Sequence, residues 1–198
     1  MNLHAPQAIF LVGLVSYLAV RAIYQRRAAG GQAAVQRSSG VDRLLVLLVV
    51  TGQIIVPLLY VFSPLLNAAS YDTWLGLTGL GALTWIAAMW VFWRSHADLG
   101  KNWSVSLVVH NDHVLVTRGV YSTVRHPMYS SFVLFGVAQA LLLPNWFAGL
   151  VALLAVGLMC AVRIPHEEAM MSEHFGQAYR QYMQRTGRLI PRLPGRSK

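Results

Sequence analysis

Residues 128–162 read MYSSFVLFGVAQALLLPNWFAGLVALLAVGLMCAV. This apolar run is about 35 residues long, too long for one crossing of a roughly 30 Å hydrocarbon core and enough for two short ones. Pro144-Asn145 divides it, because proline removes a helix donor and asparagine favours a turn. The stretch therefore predicts a tight transmembrane hairpin, with helices over about 128–143 and 145–163.

Three further apolar blocks precede it, at about 6–24, 42–62 and 71–93, each long enough for one crossing. In the third, Trp74 and Trp93 stand roughly 28 Å apart along a helix, near the separation of the two interfacial aromatic belts. Trp85 falls between them, where packing is its expected role. The chain is 56% hydrophobic and only 12% charged, well under the quarter usual in soluble domains. The fold class that follows is all-α integral membrane, one multi-pass domain over 1–198 with about five transmembrane helices.

A net charge of +9 points either to nucleic acid or to the cytosolic face of a membrane protein. Position decides between them. The sixteen Lys and Arg fall in the first loop region, in the segment between the third and fourth helices, and after the fifth. The opposite side, made of residues 1–5, 63–70 and the Pro144 turn, has none. Positive charge gathered on one face is expected to be cytosolic, which puts the N-terminus outside and the C-terminus inside. Nucleic-acid binding is not needed to explain the charge. The N-terminal run lacks a preceding positive region and a clean cleavage site, so it reads as a retained helix. The single cysteine, Cys160, sits in an apolar run as a small buried hydrophobe.

Between the crossings, 25–41 reads as a flexible linker. Gly76, Gly79 and Gly81 lie inside a membrane run with no preceding strand, which favours close helix packing over dinucleotide binding. The polar segment 95–127 is the one extended loop, with a short hairpin expected around Asn111-Asp112. A cytosolic helix is expected over 165–185, restarted at Pro165, with Met171, Phe175, Ala178, Tyr179 and Tyr182 on one apolar face.

The chemistry-bearing residues flank the hairpin. His110, His113 and His126 share the loop, and His166 precedes Glu167. No clean ligand spacing such as H-E-x-x-H joins them, so no metal is expected. Arg163 and Glu167 share a face if their helix is continuous, either as an interfacial ion pair or as a site at the membrane boundary. An arginine there can grip a carboxylate with two parallel hydrogen bonds. Gln139, polar within a membrane helix, either bonds across helices or faces the site as a substrate contact.

Together, four passages resemble the isoprenylcysteine carboxyl methyltransferases. They are His113-Val-Leu-Val-Thr-Arg-Gly-Val-Tyr121, Arg125-His126-Pro127-Met128-Tyr129, Arg163-x-x-x-Glu167-Glu168, and Phe175-Gly176-x-x-Tyr179-x-x-Tyr182 with Pro191 beyond. The order and spacing hold over about 99–193. The resemblance implies a membrane methyltransferase whose loop and C-terminal helix form the site for S-adenosylmethionine. It assigns cofactor binding to His113, Val114, Leu115, Val116, Tyr121, His126, Pro127, Met128, Tyr129 and Glu167, and makes Arg163 the catalytic arginine that meets the acceptor carboxylate. The implied partners are membrane lipids and a lipid-like or prenylated small molecule or peptide. Departures from the family are Pro144-Asn145 where Asn-Pro is common, and Pro165 within the Arg–Glu spacing. Alternative readings are a phospholipid-amine or small-thiol methyltransferase, an NADPH-dependent sterol reductase-like enzyme, and a non-enzymatic membrane scaffold.

Overall fold

The computed structural model describes residues 4–29, 39–100 and 114–192. His110, His113 and the hairpin expected around Asn111-Asp112 lie outside the described residues. The helices are α1 (Ala5–Ala29), α2 (Gly40–Val50), α3 (Val56–Phe62), α4 (Leu75–Leu99), α5 (Pro127–Leu142), α6 (Trp146–Phe175) and α7 (Gln177–Arg185). Among the described residues strand pairing is limited to two isolated bridges, Ser70 with Asn145 and Val124 with Gly187.

Among the described residues four stretches are long and apolar enough to cross a membrane: α1, the α2–α3 unit, α4 and α6. The fifth expected crossing, α5, has 16 residues and reaches only about 24 Å. Its length is set at both ends by proline. Pro127 occupies the first helical turn, where a missing N–H costs nothing, and Leu143 before Pro144 takes an extended conformation.

The second crossing is not one regular helix. Thr51–Ile55 form a π-helical turn joining α2 to α3, and Pro57 supplies the cause. Val56 N–H bonds to Thr51 O, so the next carbonyl, that of Gly52, faces Pro57, which has no N–H to give. Gln139 makes good the loss: its amide nitrogen donates to Gly52 O at 2.9 Å and to Ala148 O at 2.6 Å. In lipid an orphaned carbonyl has no water to turn to, so a neighbouring helix must supply the donor. Gln139 is therefore a cross-helix tie and not a substrate contact, its amide nitrogen being spent on two backbone carbonyls.

Burial against lipid gives helices little drive to associate, so packing must come from close contact and polar ties. Phe10 of α1 meets Trp85 of α4 edge-on at 5.4 Å, and Trp85 and Tyr17 each meet Phe135 of α5. Trp85 is 7% exposed while Trp74 is 66% exposed, which separates the packing tryptophan from the anchor. Of the three α4 glycines, Gly81 is the one another helix presses on: a Cβ there would lie 2.8 Å from Leu142. At the hairpin, Asn145 accepts from the N–H groups of Phe147 and Ala148, capping α6, and donates to Leu66 O at 2.6 Å. One side chain thus starts a helix and pins the neighbouring connection.

Pro165 does not restart the helix, contrary to the sequence expectation. α6 runs unbroken through it for 30 residues and stops at Gly176, whose φ is +53°. A proline inside a helix forfeits one hydrogen bond, but a glycine in a positive-φ conformation ends it outright. The C-terminal helix is accordingly only Gln177–Arg185, and of the expected apolar face Tyr179 and Tyr182 are buried. At about 45 Å, α6 outruns a roughly 30 Å core. Its last turns, bearing Arg163, Glu167 and Glu168, therefore exceed what one crossing requires.

Replacing Gln139 by Leu should lower stability by about 1 kcal/mol, read as a reduced melting temperature in detergent. Ligand affinity at the α6 boundary should not change.

Candidate active site

The site forms where the chain before α5, the last third of α6 and the C-terminal tail converge. Its approach from α4 is held by Asp98, which pairs with Arg94 at 2.7 Å and accepts the Val120 N–H at 2.9 Å. Gly119, with φ +61°, sits against that carboxylate, and any Cβ there would collide with it. The turn Gly119–Ser122 follows and presents Tyr121 inward. Its hydroxyl donates to Ser95 O at 3.2 Å, while its own carbonyl accepts from the Tyr182 hydroxyl at 2.6 Å. Burial, and then the neighbouring Tyr182, Asp98 and Glu167, push the Tyr121 phenol well above its ordinary value. It therefore remains a neutral donor. Burial also raises Tyr182, to about 12.

The two adjacent carboxylates of α6 have separate work. Glu168 is 7% exposed and bound on both oxygens. Arg125 Nε and Nη2 both reach Oε1 at 2.9 Å, and Arg188 Nη2 reaches Oε2 at 2.5 Å. Arg125 also donates to Met183 O and Thr186 O. The tail runs back along the same segment, with Arg125 N–H to Gly187 O at 2.8 Å and His126 N–H to Arg188 O at 3.1 Å. Ser130 Oγ donates to Leu189 O at 2.6 Å.

Glu167 faces the other way. Its Oε1 accepts from the Tyr129 hydroxyl and lies 3.7 Å from Arg163 Nε, and its Oε2 lies 3.6 Å from His126 Nδ1. Because α6 continues through Pro165, Arg163 and Glu167 keep their four-residue spacing on one face. His126 stands between the acids, with Nε2 at 3.3 Å from Glu168. Burial alone would depress its pKa, but hydrogen bonds to Glu167 and Glu168 outweigh that and raise it.

The structure thus brings together His126, Tyr129, Arg163 and Glu167. Pro127 and Met128 lie in the turn linking the first two, Pro127 buried and Met128 packed on the core. Val114, Leu115 and Val116 lie in the non-helical chain entering the Gly119 turn, with Val114 exposed. His113 lies outside the described residues. No group of three or more His, Cys, Asp or Glu side chains converges as a metal set among the described residues.

Sequence reasoning missed three participants. Arg125 and Glu168 stood inside quoted motifs without a role, and only their contact reveals the clamp. Asp42 had no signal, since it reaches Arg163 at 3.6 Å from the first turn of α2. An apolar groove of about 730 Å³ also lies against the first turns of α5, bounded by Trp90 and Trp93 of α4, Val124, Pro127 and Ile190 of the tail.

Residues 80–173 match the model of the isoprenylcysteine carboxyl methyltransferase (ICMT) family. The resemblance is to ICMT enzymes. A protein-S-isoprenylcysteine O-methyltransferase from Schizosaccharomyces pombe is 35% identical over 105 residues, covering 51% of this chain and 44% of the relative. Form B from Arabidopsis thaliana is 38% identical over 79 residues, 40% of each chain. A solved structure of the eukaryotic intramembrane Ras methyltransferase ICMT superposes with a TM-score of 0.58 at 27% identity, covering 94% of this chain and 64% of that one. This chain therefore spans less than half the length of the curated ICMT relatives it matches. The ICMT match holds the His126–Tyr129 turn and the Arg163–Glu168 face. It leaves Asp42 and Arg188 outside.

The raised His126 pKa has a definite sign. Its charged pairing contributes fully below about pH 6.5, the unfolded value, and fades as pH rises through the folded value. Melting temperature in detergent should fall over that range, and His126→Gln should flatten this limb of the curve.

Proposed function

We propose that the protein is a membrane methyltransferase that moves a methyl group from S-adenosylmethionine to the carboxylate of a lipophilic, isoprenylcysteine-like acceptor. The observation that carries this is Arg163, set in the second half of α6 beside the linked Glu167, Tyr129 and His126. The names of the relatives support the reaction class, and the apolar groove against the start of α5 supports a lipophilic acceptor.

The residues present fit the donor chemically. Glu167 offers negative charge for the cationic end of such a molecule, and His126 and Tyr129 fix its two oxygens. The residues proposed to hold it are Val114, Leu115, Val116, Tyr121, His126, Pro127, Met128, Tyr129 and Glu167, with His113 joining them from outside the described residues. When bound, S-adenosylmethionine supplies a methyl group on a sulfonium leaving group.

A carboxylate acceptor is already ionised at neutral pH, with an ordinary pKa near 3.5. Transfer to that oxygen would release a neutral thioether and would require no proton to be removed. Arg163 would orient the acceptor through a two-point grip, and catalysis would rest on alignment in a dry site. That is consistent with a site whose acids are tied to histidine, tyrosine and arginine instead of standing ready as bases. Gathering of the cations on one side supports a cytosolic position for this site and the C-terminus.

The test is methyl transfer from radiolabelled S-adenosylmethionine to N-acetyl-S-farnesylcysteine by the purified full chain. The rate should show no rising limb from about pH 6 upward, as expected of a carboxylate; a rate that climbs into the basic range would indicate a thiol or amine acceptor instead. Arg163→Ala should lower kcat/KM by about a hundredfold or more with S-adenosylhomocysteine still bound. Glu167→Ala should weaken that binding itself. Absence of calorimetric binding to the wild-type protein would overturn the proposal.

A further inference from the structure

Arg163 has a second acid beside it, contributed by a helix outside the matched region. Asp42 lies in the first turn of α2 and closes a capping box with Ser39. The box uses only one of its oxygens: Oδ2 accepts from Ser39 N–H at 3.2 Å and from Ser39 Oγ at 2.9 Å. The other, Oδ1, stands 3.6 Å from Arg163 Nε. A helix cap alone would leave that oxygen to solvent.

The guanidinium is approached by acids along one edge. Asp42 at 3.6 Å and Glu167 at 3.7 Å both come nearest to Nε. That nitrogen is buried and makes no hydrogen bond among the described residues. An arginine can grip a carboxylate through its two Nη atoms or through Nε with one Nη. Acids whose nearest approach is to Nε disfavour the second mode and favour the first.

Glu167 cannot hold that edge alone, because it also serves Tyr129 and His126. Among the described residues Asp42 otherwise bonds only to Ser39.

We propose that Asp42 is a positioning residue for Arg163, holding the guanidinium by its Nε edge so that the Nη fork meets the acceptor carboxylate. This rests on the reading of the site as a carboxyl methyltransferase. It ties α2, which carries no family motif, to the reacting group.

The experiment uses the full chain in detergent with S-adenosylhomocysteine present. It compares equilibrium binding of N-acetyl-S-farnesylcysteine with that of its uncharged carboxamide, alongside turnover of the acid. The wild-type protein should prefer the acid by about tenfold or more. Asp42→Asn keeps the size and a capping oxygen but removes the charge. It should bring that preference below about threefold, with S-adenosylhomocysteine affinity unchanged and the loss of kcat/KM carried mostly by KM. Asp42→Glu should restore part of the preference. Ser39→Ala, which removes the capping bond and spares the ion pair, should keep all of it.

If the wild type does not prefer the acid, the carboxylate reading itself fails. If it does and Asp42→Asn keeps the preference, Asp42 is only a helix cap and this proposal alone fails. Loss of S-adenosylhomocysteine binding in Asp42→Asn would equally count against it, by revealing a general structural role.

Discussion

Glu168 receives Arg125 from the segment before α5 and Arg188 from the tail, and touches His126 between them. Three pieces of chain far apart in sequence close on one carboxylate. Arg125 in turn binds carbonyls at Met183 and Thr186, so the same side chain that meets the acid also stops the end of α7 from swinging away. A buried acid with one arginine would gain little over the cost of leaving water. With two arginines and a histidine its oxygens are satisfied, and the ion cluster specifies a single arrangement. The neighbouring Glu167 is thereby freed from structural duty toward the tail and can face Arg163.

The membrane sets the second constraint. Backbone groups there must find partners within the protein, and this chain twice uses an amide side chain where proline disturbs the ladder. Gln139 answers the carbonyl that Pro57 leaves bare, and Asn145 caps the helix that begins after Pro144. Both side chains are essentially inaccessible, and both join elements that are distant in sequence. Rigid ties of this kind would matter for the proposed reaction, since a methyl transfer without a base has little but geometry to accelerate it.

Much of the site was legible. The Arg125–Tyr129 passage and the Arg163–Glu168 passage stand out from apolar surroundings, and their spacing about the hairpin suggests that they meet. The division of labour between Glu167 and Glu168 was not legible. Adjacent residues on a helix point about 100° apart, and nothing in the pair says which turns to the tail and which to Arg163. The continuation of α6 through Pro165 was also misjudged, because a proline's local preference loses to the packing and polar partners on either side of it.

Sequence by itself determined the membrane character, the hairpin and the cluster of residues near Arg163. These follow from local composition and periodicity, which are properties of short windows. Only the tertiary structure decided that Gln139 ties helices instead of facing the site, that Glu168 is a clamp, and that Asp42 reaches Arg163. Each of those depends on which chemical groups other helices leave unsatisfied nearby. That is set by how the helices pack, and no window of sequence contains it.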